Sequence, residues 1–174
     1  MKNNIIIDCI KENIDIIYEI DKTSSSYNWT KTMFLEELKN KNSFFKVLYL
    51  DNIIAGYVIY HIVLDEAEIL NIVIDNKFKR RNLGYYLLEQ TINDISKENI
   101  KTIFLEVGEK NIPAINLYLK FGFEQYNIRN GYYRNGENAI LMRKKVIGWE
   151  RQVNGWTRIV KQFVGERLKG LNSN

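Results

Sequence analysis

Residues 65–123 constrain the fold of this chain more than any other stretch. Glu66-Ala67-Glu68-Ile69-Leu70-Asn71-Ile72-Val73-Ile74 is a strand-like run rich in β-branched residues. A basic, glycine-bearing turn follows, Lys79-Arg80-Arg81-Asn82-Leu83-Gly84. Leu83, Leu87, Leu88, Thr91, Ile92 and Ile95 then recur on one face of a helix that runs to about residue 97. A second strand spans 102–107, and 111–120 forms a short helix with Pro113 tolerated in its first turn and Gly122 ending it. Strand, helix, strand in that order makes a parallel crossover, which places an α/β sheet at the centre of the molecule.

The flanking patterns fill in the sheet. Residues 5–10 read as a first strand and 11–21 as a helix with an isoleucine-rich stripe. Thr23-Ser24-Ser25-Ser26 is a polar break, and Thr30 is the expected N-cap of a second helix carrying Phe34, Leu35 and Leu38. Residues 44–50 and 53–64 read as antiparallel strands joined at Asp51-Asn52. Two more strands are expected at 123–133 and 138–146, separated by the hairpin signal Asn135-Gly136. The sum is a mixed sheet, antiparallel at its start, parallel in the middle and closed by a hairpin.

Composition excludes several classes. A hydrophobic share of 45% with 26% charged residues in 174 residues describes one soluble globular domain with a real core. The single cysteine, Cys9, rules out an internal disulfide framework and reads as a buried small hydrophobe, while the single His61 reads as structural or incidental. No apolar run reaches the length of a membrane span and no signal-peptide pattern opens the chain, so a cytoplasmic protein is expected. The stretch from Arg143 onward holds eight Lys or Arg and two Glu, or +6, against −2 for the rest. A slightly acidic body thus carries a basic tail, and no direct nucleic-acid partner is expected.

Three features bear chemistry. The basic turn at the start of a helix supplies unpaired backbone N–H groups and cations for a phosphate, although a solvated basic turn is the commoner case. Glu106 stands alone among Phe104, Leu105 and Val107. It faces either solvent or a cleft, and a carboxylate set among apolar neighbours suits general-base work. Tyr118 lies twelve residues further on, where it either packs its ring or offers a proton.

Taken together, these segments resemble the GNAT superfamily of N-acetyltransferases, and within it the RimI-type enzymes that acetylate the N-terminal alanine of a small-subunit ribosomal protein. The similarity covers residues 29–142. It rests on Leu64-Asp65-Glu66-Ala67, Asn71-Ile72, Leu105-Glu106-Val107, the helix from Asn111 to Tyr118, Phe121-Gly122-Phe123 and Tyr132-Tyr133 with the segment from Asn135 to Ile140. The resemblance implies acetyl-CoA as co-substrate and no metal. Backbone groups of Ile72, Val73 and Ile74 would meet the pantetheine arm. Arg80, Arg81, Asn82, Leu83, Gly84 and Tyr85 would hold the pyrophosphate, and Asn111 would hydrogen-bond the cofactor. Glu106 would accept the proton of the attacking amine and Tyr118 would return one to the departing sulfur. Asn82 replaces the first glycine of the family's loop, and asparagine is the side chain most tolerant of left-handed backbone angles. The segment after Tyr133 is also about a residue shorter than the family pattern and lacks its proline.

The acceptor implied is a protein N-terminus, with that of a ribosomal protein as the first expectation. An α-amine, with a pKa of about 8, gives up its proton more readily than a lysine at about 10.4. Lysine, a polyamine or another small amine is the alternative. Glu66 and Glu68 could attract a basic peptide, and Trp29 and Tyr132 could line its entrance, with solvated carboxylates and ordinary packing as the competing explanations. Beyond a catalytic domain at 1–146, residues 147–174 form a basic amphipathic pattern expected to be a helical extension. Trp149, Val153, Trp156, Val160, Phe163 and Val164 make its stripe, with Arg151, Arg158, Lys161 and Lys169 opposite. Packing on the body or a second copy is the first expectation for it, and contact with a membrane or the ribosome the second.

Overall fold

A computed structural model describes residues 4–25, 29–133 and 135–146. The expected tail helix at 147–174 lies outside the described residues. Seven strands form one sheet in the order β1-β2-β3-β4-β5-β7-β6. They are β1 (Asn4–Asp8), β2 (Ser43–Leu50), β3 (Ile53–Val63), β4 (Glu66–Ile74), β5 (Thr102–Gly108), β6 (Glu124–Arg129) and β7 (Ala139–Lys145). Every neighbouring pair is antiparallel except β4–β5, which is parallel. The helices are α1 (Ile14–Ser24), α2 (Lys31–Glu37), α3 (Leu83–Ile95) and α4 (Ile112–Lys120).

Helices cover both faces of the sheet, so the central strand β3 is buried on both sides. Its alternate residues sort the two cores. Tyr57 and Ile59 pack with Ile14, Ile17 and Phe34 of α1 and α2. Val58 and Tyr60 pack with Leu83, Leu87, Leu88 and Ile95 of α3 and with Tyr118 of α4. The β2–β3 turn carries Asp51 and Asn52 at φ 49° and 68°, the paired left-handed geometry of a tight hairpin. Thr30 caps α2 by accepting a hydrogen bond from Met33 N at 3.2 Å.

Several expected boundaries shift for local reasons. β1 ends at Asp8 because the side chain of Asn13 takes the N–H of Ile10 at 3.0 Å and turns the chain into a 3-10 segment, Lys11–Asn13, ahead of α1. Cys9 is buried, and burial, with Asp8 beside it, pushes its thiol up to about 12. The final hairpin is shorter than the sequence suggests. Asn135-Gly136 does form a tight turn, with Gly136 N bonded to Tyr133 O at 2.8 Å, but residues 130–133 and 135–138 lie outside the strands. That loop is pinned elsewhere: Glu137 accepts Lys110 N at 3.0 Å, and Asn138 donates to Glu109 at 2.9 Å.

Candidate active site

The two central parallel strands part company. β4 and β5 pair from Glu66–Thr102 to Ile69–Leu105 and no further, although β4 continues to Ile74 and β5 to Gly108. The register of β4 with β3 skips Leu70 at the same point. A bulge bends and twists its strand, so β4 turns away from β5 just where their ladder stops. Beyond Ile69 the β4 edge facing β5 offers unpaired backbone groups that an extended ligand can meet. Ile72, Val73 and Ile74 form that edge.

A buried polar cluster holds the bend. Asp21 of α1, fully buried, accepts the hydroxyl of Tyr57 at 2.5 Å, the amide of Asn71 at 3.3 Å and the backbone N–H of Trp29 at 2.7 Å. Asn71 also donates to the Tyr57 hydroxyl at 2.8 Å, which fixes β4 one residue past the bulge. Burial, reinforced by Asp21, keeps the Tyr57 hydroxyl protonated far beyond its ordinary range. Trp29 itself packs in the α1–α2 core, its ring 5.4 Å from that of Phe34.

The end of β4, the start of α3 and the body of α4 converge on Gly84. A methyl group placed there would rest 3.7 Å from Ile74 and 3.8 Å from Leu117, which is ordinary contact. Internal packing therefore does not demand glycine, and the space it leaves lies on the first turn of α3, where N–H groups are unpaired. In the preceding loop Arg80 and Asn82 adopt φ of 63° and 59° while Arg81 between them does not. Residues of alternating hand turn successive N–H groups toward one point, an anion-binding arrangement. Asn82 thus occupies the left-handed position that glycine would favour. Arg81 lies 5.3 Å over the Phe78 ring, and the Tyr85 ring packs at a tilt against Phe121, their centroids 4.6 Å apart. Asn111 caps α4, its side-chain oxygen accepting Ala114 N at 3.3 Å, which leaves its amide nitrogen to donate. These residues fit a cofactor with a diphosphate and an extended arm.

Glu106 and Tyr118 flank the gap from opposite sides. Leu105 and Val107 point into the α3–α4 core beside Tyr118, so Glu106 points to the other face of β5. There it lines a cleft of about 330 Å³ with His61, Glu66, Glu68, Phe104, Tyr126 and Arg129. The cleft brings Glu66, Glu68 and Glu106 together, as the alternation of β4 and β5 requires. The surroundings of Glu106 are less apolar than its strand neighbours imply, because Arg129 forms an ion pair with it. Tyr118 is buried, with its ring edge toward Phe123 at 5.8 Å, and burial raises its hydroxyl above the ordinary value. Tyr132 is half exposed and lies under the Arg129 guanidinium at 5.2 Å.

Two residues of the cleft escape a linear reading. His61 walls it and ties β3 to α2 through Glu37, at 2.7 Å. Arg129 reaches Glu106 from β6, with β7 between the two strands. Nothing local marks it, since the order of β6 and β7 is a long-range fact. The register partner of Arg129 on β7 is Ala139, whose small side chain leaves the way open.

The profile of the Acetyltransferase (GNAT) family matches residues 14–123. A Bacillus subtilis protein provisionally named [ribosomal protein bS18]-alanine N-acetyltransferase is 38% identical over 133 residues, 75% of this chain and 88% of its own length. The Salmonella typhimurium protein named [ribosomal protein bS18]-alanine N-acetyltransferase is 34% identical over 128 residues, 72% of this chain and 86% of its own. The crystal structure of the ribosomal-protein-S18-alanine N-acetyltransferase from Escherichia coli matches with a TM-score of 0.78 at 31% identity, over 83% of this chain and 94% of that one. With its parted strands, left-handed loop and matching relatives, the chain belongs to the GNAT family and is an acetyl-CoA-dependent N-acetyltransferase.

Proposed function

We propose that this enzyme acetylates the N-terminal α-amine of a protein, with the alanine terminus of a ribosomal protein as the acceptor that its relatives' names support. The observation that carries the proposal is the parting of β4 from β5 with Glu106 on one side and Tyr118 on the other. The acceptor enters by the acidic cleft, where Glu66, Glu68 and Glu106 favour a cationic terminus. Glu106, directly or through a water molecule, takes the proton that the ammonium must lose before it attacks. Backbone N–H groups of β4 near Val73 polarise the thioester carbonyl. Tyr118 donates to the departing sulfur. Burial keeps that hydroxyl protonated until the sulfur leaves. Arg80 to Tyr85 hold the diphosphate, and Asn111 donates to the cofactor through its free amide.

The same three carboxylates would also suit a polyamine or a lysine side chain, which is the second reading. CoA release measured with N-terminal peptides, lysine peptides and polyamines separates the two. Preference for peptides with a free alanine terminus supports the first, and equal or better turnover of polyamines overturns it. A cytoplasmic location belongs to the same proposal, since ribosomal proteins are made there. Residues 1–146 are proposed as the catalytic unit, and the tail 147–174 as a packing or attachment segment. Truncation after Val146 should therefore leave peptide acetylation in place while altering association state or attachment.

A further inference from the structure

We infer that Arg129 is an internal competitor for Glu106, paired with it until a cationic amine takes its place. The inference rests on Glu106 being the base. Its side chain is 22% exposed and that of Arg129 50%, so the pair sits at the open cleft and not in the core. Ion pairs with this much access to water are weak and exchange readily. Arg129 also has a partner to keep when that pair opens, because its guanidinium lies over the ring of Tyr132 at 5.2 Å at the same time. It is the last residue of β6, at the edge of the sheet, with Gly131 at φ 59° in the loop that follows.

The exchange keeps a cation on Glu106 throughout. An arriving α-ammonium takes the place of the guanidinium on the carboxylate, and Arg129 stays on Tyr132. After acetylation the terminus is a neutral amide, which cannot compete with a guanidinium for a carboxylate. Once Glu106 has passed its proton to water, Arg129 re-forms the ion pair with it. It thereby lowers the enzyme's affinity for its charged substrate, which Glu106 alone would hold more tightly, and leaves that for the neutral product unaltered.

The test compares an alanine-initiated peptide carrying a free α-amine with the same peptide N-acetylated, binding to the full-length CoA-bound enzyme by calorimetry. In Arg129→Gln the free-amine peptide should bind about two- to fivefold more tightly, the range set by an exposed ion pair, and its KM should fall by the same factor. The acetylated peptide should be unchanged. Arg129→Lys, which keeps the cation, should stay near the parent ratio. A purely structural role would shift both peptides together, and equal shifts, or weaker binding of the free amine, overturn the inference. Parallel turnover by Glu106→Gln separates the two failures. If that variant is impaired while both peptides shift equally, only the role of Arg129 is lost. If it turns over normally, the base assignment falls and this inference with it.

Discussion

At the scale of single residues, the site depends on a few side chains in unusual positions. Asn82 holds a left-handed angle at the threshold of α3. Replacing it with glycine should leave stability and acetyl-CoA affinity unchanged or slightly improved. Asn82→Ala should cost about 1 kcal/mol, because alanine tolerates the left-handed region less well than asparagine. Urea denaturation of the two variants checks this, and equal stability would show that the loop does not need the left-handed angle. Glu137 is a second case. It is buried and accepts Lys110 N, tying the loop that carries Tyr132 to the start of α4. Glu137→Ala should lower stability by about 1–3 kcal/mol by leaving that N–H unpaired, and should raise the peptide KM by loosening the loop. An unchanged KM would show that the loop does not shape acceptor binding.

At the scale of elements, the parting of β4 and β5 depends on close contact between β3 and β4. Gly56 of β3 lies so near β4 that a methyl group placed there would come within 2.4 Å of Val73 O. Gly56→Ala should therefore push β4 toward the gap, cost about 1–3 kcal/mol and weaken acetyl-CoA binding. Titration calorimetry and thermal unfolding check both effects, and an unaffected cofactor affinity would contradict this account of the slot. The elements themselves were legible because periodicity is local. The α3 stripe, the Thr30 cap and the Asp51-Asn52 turn are each decided within a few residues. The bulge at Leu70 was not legible, because it exists only as a mismatch between two registers. The reach of Arg129 was hidden for a related reason: it depends on β7 inserting between β5 and β6, an order that no single segment encodes. Glu106 and Tyr118 were visible as candidates, yet their placement on opposite sides of β5 required the fold.

At the scale of the whole molecule, two cores share one sheet and bury hydroxyls that resist ionisation. Tyr57, Tyr60 and Tyr118 are all raised above the ordinary 10.0, chiefly by burial. The unfolded chain ionises these groups before the folded one does. The stability they leave intact is fully present below pH about 10 and is lost as the pH climbs through the raised values. Urea midpoints should accordingly fall above pH 10, and Tyr118→Phe should fall less steeply than the parent. Parallel slopes would contradict the burial of that hydroxyl. Among the described residues no helix is long and apolar enough to cross a membrane, and no group of three or more His, Cys, Asp or Glu is placed to hold a metal ion.

The central claim is that the gap between β4 and β5 presents the acetyl thioester to an amine whose proton goes to Glu106. The most direct measurement is single-turnover acetyl transfer by Glu106→Gln with a saturating alanine-initiated peptide, alongside its acetyl-CoA affinity. The account predicts a rate about 10²- to 10⁴-fold below the parent with cofactor binding unchanged. A rate equal to the parent's at neutral pH would contradict it.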